Sequence, residues 1–325
     1  MDGVSAYALI AAREAVQSAG LLTNDEVDAD DIGFSIGSFS GPLSVRRYES
    51  RVHSVTAAVF AYYGSVIGNV TIPLKISGPS HTLLNLDVAG IDAIGYAYEI
   101  IRHGKARAML AGGADTALNI HVFSALDRAG FLSGADHKLT APGRGSNGNP
   151  CGAVPSEGAA LLLLERLDCA LARGRSIYAE VLGYSTIADG CGSEGMSLVF
   201  KQAKADPRQV DCLVANCTGY SPLDYQEVRS VQRLFGKDRC RSAVTNITWA
   251  VGHALAAAGA MQAVTSALIL KEQRIPPVGN LDVMDEFSSL DVVNPPGRSG
   301  PIGLVLQSTF GFSGKKSFLL LGKYQ

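Results

Sequence analysis

With 325 residues, 47% of them hydrophobic and only 18% charged, the chain can bury a large core, and its length suits two domains or one two-lobed domain. A net charge of −2, a pI near 6.3 and the lack of any basic stripe argue against nucleic acid as a partner. No apolar run approaches the roughly 18 residues that would suggest a membrane span; the run Ala159 to Leu164 is short and ends in Glu165-Arg166.

In chain order, the opening Met1-Asp2-Gly3 has no basic flank or apolar stretch, so no signal peptide is expected and the cytoplasm is the default location. Ile32 to Ile36 reads as a strand. Val88 to Arg102 reads as an amphipathic helix with Ala89, Ile91, Ala93, Ile94, Ala97 and Ile101 as its apolar members. A buried strand over Ala106 to Ala111 is expected to end in a glycine turn at Gly112-Gly113. Gly158 to Leu164 reads as a strand, Leu167 to Arg173 as a helix, Ile177 to Tyr184 and Cys212 to Asn216 as strands. Helices follow over Tyr225 to Phe235 and Ala254 to Glu272, and Ile302 to Thr309 with Ser317 to Leu321 form a closing hairpin. Such alternation, with fully apolar strands, predicts α/β layers and sheets covered on both faces. Pro142 to Pro150 and Asn294 to Pro301 are loops rich in Gly, Pro and Asn.

The six cysteines (Cys151, Cys169, Cys191, Cys212, Cys217, Cys240) contain no C-x-x-C pair and read as reduced, mostly buried thiols. The six histidines are scattered without metal-ligand spacing, so no metal and no cofactor is expected.

Four segments carry more information. They are Ala111-Gly112-Gly113-Ala114-Asp115, then Gly152-Ala153-Val154-Pro155-Ser156-Glu157-Gly158, then Val251-Gly252-His253-Ala254 through Ala260, and finally Phe310-Gly311-Phe312-Ser313-Gly314. In that order the chain resembles the β-ketoacyl synthases of fatty-acid and polyketide synthesis. The resemblance implies a thiolase-like five-layered α-β-α-β-α fold of two pseudo-symmetric halves, here 1–175 and 176–325, normally dimeric. Family members usually carry several dozen residues, including a first central strand, before the point matching Met1. This chain is therefore shortened or remodelled there, or something else fills that place. A second shortening follows Tyr184.

The family's catalytic set is a Cys and two His. Gly78-Pro79 and Ala93-Ile94-Gly95 place the Cys position on Asp87. A helix N-terminus that activates a thiolate also stabilises a carboxylate, and alone Asp87 reads as a helix N-cap. A carboxylate there is a poor acyl acceptor and opposes charge on a nearby thioester oxygen. In Ala215-Asn216-Cys217-Thr218-Gly219-Tyr220-Ser221-Pro222-Leu223-Asp224, with Glu227 beyond, the first His position falls on Cys217. The second His is retained as His253, and the family's Lys falls on Thr248. Cys217 reads either as a buried inert thiol, the commoner case, or as a displaced nucleophile with His253 as its base. Phe310 and Phe312 belong to a loop that in the family gates the acyl pocket and supplies one oxyanion amide.

Condensation needs a thiol to hold the acyl chain and two imidazoles to promote decarboxylation and stabilise the enolate. With Asp87, Cys217 and Thr248 in place, no catalytic residues are expected. The resemblance is to chain-length factors and to divergent partners in polyene systems, which form heterodimers with an active ketosynthase. Their usual replacement for the Cys is Gln. It implies a non-catalytic subunit of a β-ketoacyl-ACP synthase, an acyltransferase complex, that meets acyl carrier protein through that complex. In the family a helical stretch about thirty residues before the Cys caps the partner's acyl tunnel. Here it is His53 to Tyr63, with Val59, Phe60, Tyr62 and Tyr63 as bulky members. The strand near Ala106 to Leu110 and the stretch Val55 to Tyr63 are the expected interface. Two other readings stay open: an acyltransferase or thioesterase of altered chemistry using His253 with Asp87 or Cys217, and a homodimeric module that binds acyl groups or carrier protein without catalysis.

Overall fold

A computed structural model describes residues 1–21, 27–39, 65–116, 118–132, 152–236, 242–279 and 290–324. The chain divides into two compact units, one of Met1–Val122, Glu157–Ile177 and Ala254–Met261, the other of Phe123–Ser156, Tyr178–His253 and Gln262–Gln325.

The first unit begins with helix α1 (Gly3–Ala19). Asp2 caps it, its carboxylate accepting the Ser5 amide at 3.0 Å, and Gly20 ends it in the left-handed conformation at φ +58°. The face of α1 carrying Val4, Ala8, Ala12 and Val16 is buried. Strand β1 (Ile32–Gly37) is buried throughout. Helix α2 (Ser65–Leu74) and strand β2 (Ser80–Leu83) follow, then helix α3 (Ala89–Arg102), which buries Ala89, Ile91, Ala93, Ile94 and Ala97 as its periodicity predicts. Strand β3 (Ala108–Thr116) leads to helix α4 (Ile120–Arg128), which passes into the second unit at Phe123, and strand β4 (Glu157–Glu165) and helix α5 (Leu167–Ala172) return to the first. The sheet order is β2-β1-β3-β4, parallel except for the β3/β4 pair.

Two expectations are corrected here. β3 does not end in a glycine turn but runs through Gly112-Gly113 to Thr116. A Cβ on Gly112 would lie 2.0 Å from the Ala160 carbonyl oxygen, and one on Gly113 2.5 Å from that of Ala256. These glycines serve close backbone approach rather than a turn. Ala106 to Leu110 also cannot supply an interface edge, because β3 is hydrogen-bonded to β1 on one side and β4 on the other. Among the described residues the sheet's edges are β2 and β4.

The second unit holds β5 (Glu180–Ala188), α6 (Gly192–Ala203), β6 (Cys212–Val214), α7 (Ser221–Phe235), β7 (Ala243–Thr245) and α8 (Thr248–Val251). Helix α9 (Ala256–Glu272), which belongs to the second unit from Gln262 onward, short strands β8 (Arg274–Ile275), β9 (Asp291–Val292) and β10 (Arg298–Ser299), and the hairpin β11 (Leu304–Phe310)/β12 (Lys315–Gly322) complete it. β5 starts three residues later than the apolar run at Ile177 suggested and extends to Ala188, and α7 starts four residues earlier than expected, with Pro222 in its first turn. The sheet order is β5-β12-β11-β6-β7-β9, with the β11/β12 and β12/β5 pairs antiparallel and the others parallel.

The two sheets repeat one pairing pattern. β2-β1-β3-β4 matches β7-β6-β11-β12 in order and direction. In the second unit β5 lies beyond β12; among the described residues nothing takes the equivalent place beside β4.

Candidate functional site

Asp87 belongs to the first unit. It lies in a 3-10 turn, Leu86–Val88, immediately before α3, and its side chain is fully buried. The N-cap of α3 is Val88, without a side-chain capping bond, so Asp87 stands one residue outside the cap position it was expected to fill. The backbone reaches it through Leu86 at φ +57°. Beside it Asn85 Nδ2 donates to Asp92 Oδ2 at 2.7 Å.

The remaining candidates with described positions lie in the second unit. β6 feeds the loop 216–219, whose four amides all turn to carboxylates on α7. Glu227 accepts from Asn216 N at 2.9 Å and Cys217 N at 3.1 Å. Asp224 accepts from Thr218 N at 2.8 Å and Gly219 N at 3.0 Å. Asp and Glu three apart on a helix share a face, which is why both reach one loop. The Ser308 hydroxyl also donates to Glu227. This frame holds Cys217 at φ +39°, a conformation that costs a non-glycine residue energy unless its surroundings enforce it.

The electrostatics follow from burial. Removal from water, with Glu227 nearby, pushes Asp224 up to about 7, while burial raises Glu227 against the bonds from Ser308, Asn216 and Cys217. Burial, then the Glu227 and Asp224 carboxylates, push the Cys217 thiol well above its ordinary range. A thiol so held stays protonated, and the protonated thiol is a poor nucleophile.

Thr248 opens α8, and its Oγ1 donates to the Asn216 carbonyl at 3.0 Å. It ties the loop instead of presenting charge. Phe310 is 1% exposed; its ring packs edge-on against Phe318 at 5.8 Å and its carbonyl accepts Asn216 Nδ2 at 3.0 Å. Cys217, Thr248 and Phe310 thus all connect through the Asn216 loop.

His253 is 1% exposed and buried among apolar groups, which lowers its imidazole to about 4. Its amide donates to Val154 O at 2.8 Å and its carbonyl accepts Ser156 N at 3.1 Å. Its Nδ1 has no hydrogen-bond partner among the described residues. Phe312 and His253 meet through a third residue, Phe131. The Phe131 ring lies 5.7 Å from His253, 5.3 Å from Phe312 and 5.3 Å from Tyr220.

Sequence reasoning missed Phe131 and Gln262. Gln262, on α9 and 1% exposed, places Nε2 at 3.3–3.4 Å from Ala215 O, Asn216 O and Asn216 Oδ1, so the loop is backed by a neutral amide. No motif in the chain points to Gln262, and Phe131 follows Gly130 in no periodic pattern. Val59, Phe60, Tyr62 and Tyr63 lie outside the described residues.

Comparison with known proteins agrees with this architecture. Residues 1–170 match the N-terminal domain of β-ketoacyl synthase and 178–282 its C-terminal domain. The 3-oxoacyl-[acyl-carrier-protein] synthase 2 of Staphylococcus aureus (strain N315) is 30% identical over 344 residues, covering 100% of this chain and 83% of that protein. Its namesake in Coxiella burnetii is 31% identical over 340 residues, 98% and 81% of the two. Among solved structures, the ishigamide ketosynthase/chain length factor aligns with TM-score 0.90 at 26% identity, over 100% of this chain and 83% of that one. A type II polyketide acyl-carrier protein in complex with its ketosynthase, AntDE:AntF, aligns with TM-score 0.90 at 25% identity, over 99% and 85%. The match of both domains, with the fold repeated in both units, shows that this chain belongs to the β-ketoacyl synthase family and has its thiolase-like fold.

Proposed function

We propose that this chain is a ketosynthase-like subunit that does no condensation of its own, pairs with an active ketosynthase and shapes that enzyme's acyl tunnel in polyketide or polyene synthesis. The observation that carries the reading is the loop 216–219. At the position matching a catalytic imidazole, Cys217 is buried in a loop whose amides are held by two carboxylates, and burial first, then those carboxylates, keeps its thiol protonated. The residue matching the family's Lys, Thr248, is a neutral tether of that loop. Buried Asp87 at the nucleophile position adds to it.

On this reading the halves 1–175 and 176–325 are a kept scaffold, and acyl carrier protein is met through the complex. The likeness to a ketosynthase/chain length factor pair supports the choice of partner. One of the first unit's two sheet edges, β2, replaces Ala106 to Leu110 as the strand offered to the partner. Val59, Phe60, Tyr62 and Tyr63 are the residues assigned to the partner's tunnel, and Phe310 and Phe312 to the retained gating loop. A low-reactivity thiol at Cys217 counts against an acyltransferase or thioesterase built on it.

The test is coexpression with a Cys-His-His ketosynthase from the same genome, followed by light scattering. A one-to-one complex burying well over roughly 2,000 Å² is expected, as obligate pairs do. A stable monomer that ignores every such partner would refute the reading.

A further inference from the structure

His253 is the one imidazole kept at the family's catalytic positions, and what surrounds it is unusual for a working base. Three aromatic rings meet at Phe131, and His253 presents its ring edge-on to the same phenyl group, with an interplanar angle of 76°. Phe131 is itself 4% exposed. Its backbone is fastened at both polar groups, the amide donating to Leu126 O at 2.9 Å and the carbonyl accepting Ala153 N at 2.8 Å. Leu132 and Ala153 add a strand-like bridge alongside. The anchored backbone fixes where the ring starts, and rotating it aside would give up its contacts with all three neighbouring rings.

We propose that Phe131 is a built-in plug that keeps thioesters and other small electrophiles from reaching His253. The inference deepens the proposed function, on which this site no longer turns over substrate, and it names the residue that closes it. The imidazole meets the Phe131 phenyl group edge-to-face and its Nδ1 has no hydrogen-bond partner among the described residues, so removing the phenyl group opens the side this contact closes.

The experiment is timed labelling of the full chain with diethyl pyrocarbonate at pH 7, read residue by residue by mass spectrometry. His103, whose side chain is 63% exposed, is the internal reference. In the wild type, His253 should label at least roughly tenfold more slowly than His103, since reaction awaits local opening. Phe131→Ala should bring His253 to within about threefold of His103, and Phe131→Leu, which keeps most of the volume and guards against a failure to fold, should fall between. Equal labelling of His253 and His103 in the wild type overturns the plug. So does continued protection of His253 in a Phe131 variant whose circular dichroism and melting are native-like. A condensation assay on the same variants keeps the two claims apart. Labelling without condensation upholds both, whereas condensation by Phe131→Ala sinks the non-catalytic reading and leaves the plug standing.

Discussion

Glu227 receives the amides of both Asn216 and Cys217 on its two carboxylate oxygens, at 2.9 and 3.1 Å. One side chain thus fixes two consecutive peptide planes, one of them at positive φ. Glu227→Ala should leave buried donors unpaired and cost at least about 1–3 kcal/mol. Glu227→Gln, which keeps one acceptor oxygen, should cost less. Urea denaturation of the three proteins checks this, and equal midpoints would show that the loop does not depend on the carboxylate.

Condensation of malonyl and acyl thioesters by the isolated chain should not exceed a no-protein blank. Asp87→Cys should not rescue it if, as proposed, Cys217 and Thr248 hold the positions where an imidazole and an ammonium are needed. A carrier-bound substrate assay with mass-spectrometric detection decides. Clear turnover by Asp87→Cys would mean that Cys217 and Thr248 have been matched to the wrong positions.

Stability should carry two opposed pH dependences. Between about 4 and 6.5 the unfolded chain's imidazole takes up a proton that folded His253 refuses, so this group makes stability rise with pH, by about 3 kcal/mol across the window. Asp224 acts in the other direction. From 3.8 to about 7 its folded carboxyl keeps a proton that the unfolded chain has lost, so stability falls with rising pH, by about 4 kcal/mol. In His253→Gln the rising contribution disappears and the fall from Asp224 is exposed. The stability gap between wild type and variant should therefore widen from pH 4 to 6.5 in melting experiments. A gap that stays constant would show that His253 titrates normally in the folded protein.

Chain length is the fourth expectation. In the coexpressed pair, Phe60→Ala or Tyr63→Ala should lengthen the products, because a ring at a tunnel end blocks growth at a cost of about 1–3 kcal/mol for forced overlap. Val59→Ala and Tyr62→Ala complete the series. If all four variants keep the complex and an unchanged product distribution, the segment has no part in setting length.

Much of this architecture could be read from the chain because apolar runs and helical spacing are local. Ile32 to Ile36, the face of α3 and the β11/β12 hairpin are examples. Where the reading failed, the cause was tertiary. Gly112 and Gly113 look like a turn until Ala160 and Ala256 are seen pressing against them. Asp87 looks like a cap until a 3-10 turn moves the cap position to Val88. Phe131 carries no sequence pattern, since its importance comes from three rings scattered from residue 220 to 312. Cys217 is visible in the sequence, but that it is buried in a loop held by both carboxylates of α7 is not.

The repeat of strand order has a consequence for solvent exchange. In the second unit, β12 is bonded on both sides, to β11 and β5, so its amides exchange only when that sheet opens. β4 is bonded to β3 alone, and every second amide of its ladder faces away without a strand partner among the described residues. Two strands with equivalent places in the repeat should therefore differ in deuterium uptake, β4 gaining label from the folded state on alternate residues while β12 waits for unfolding.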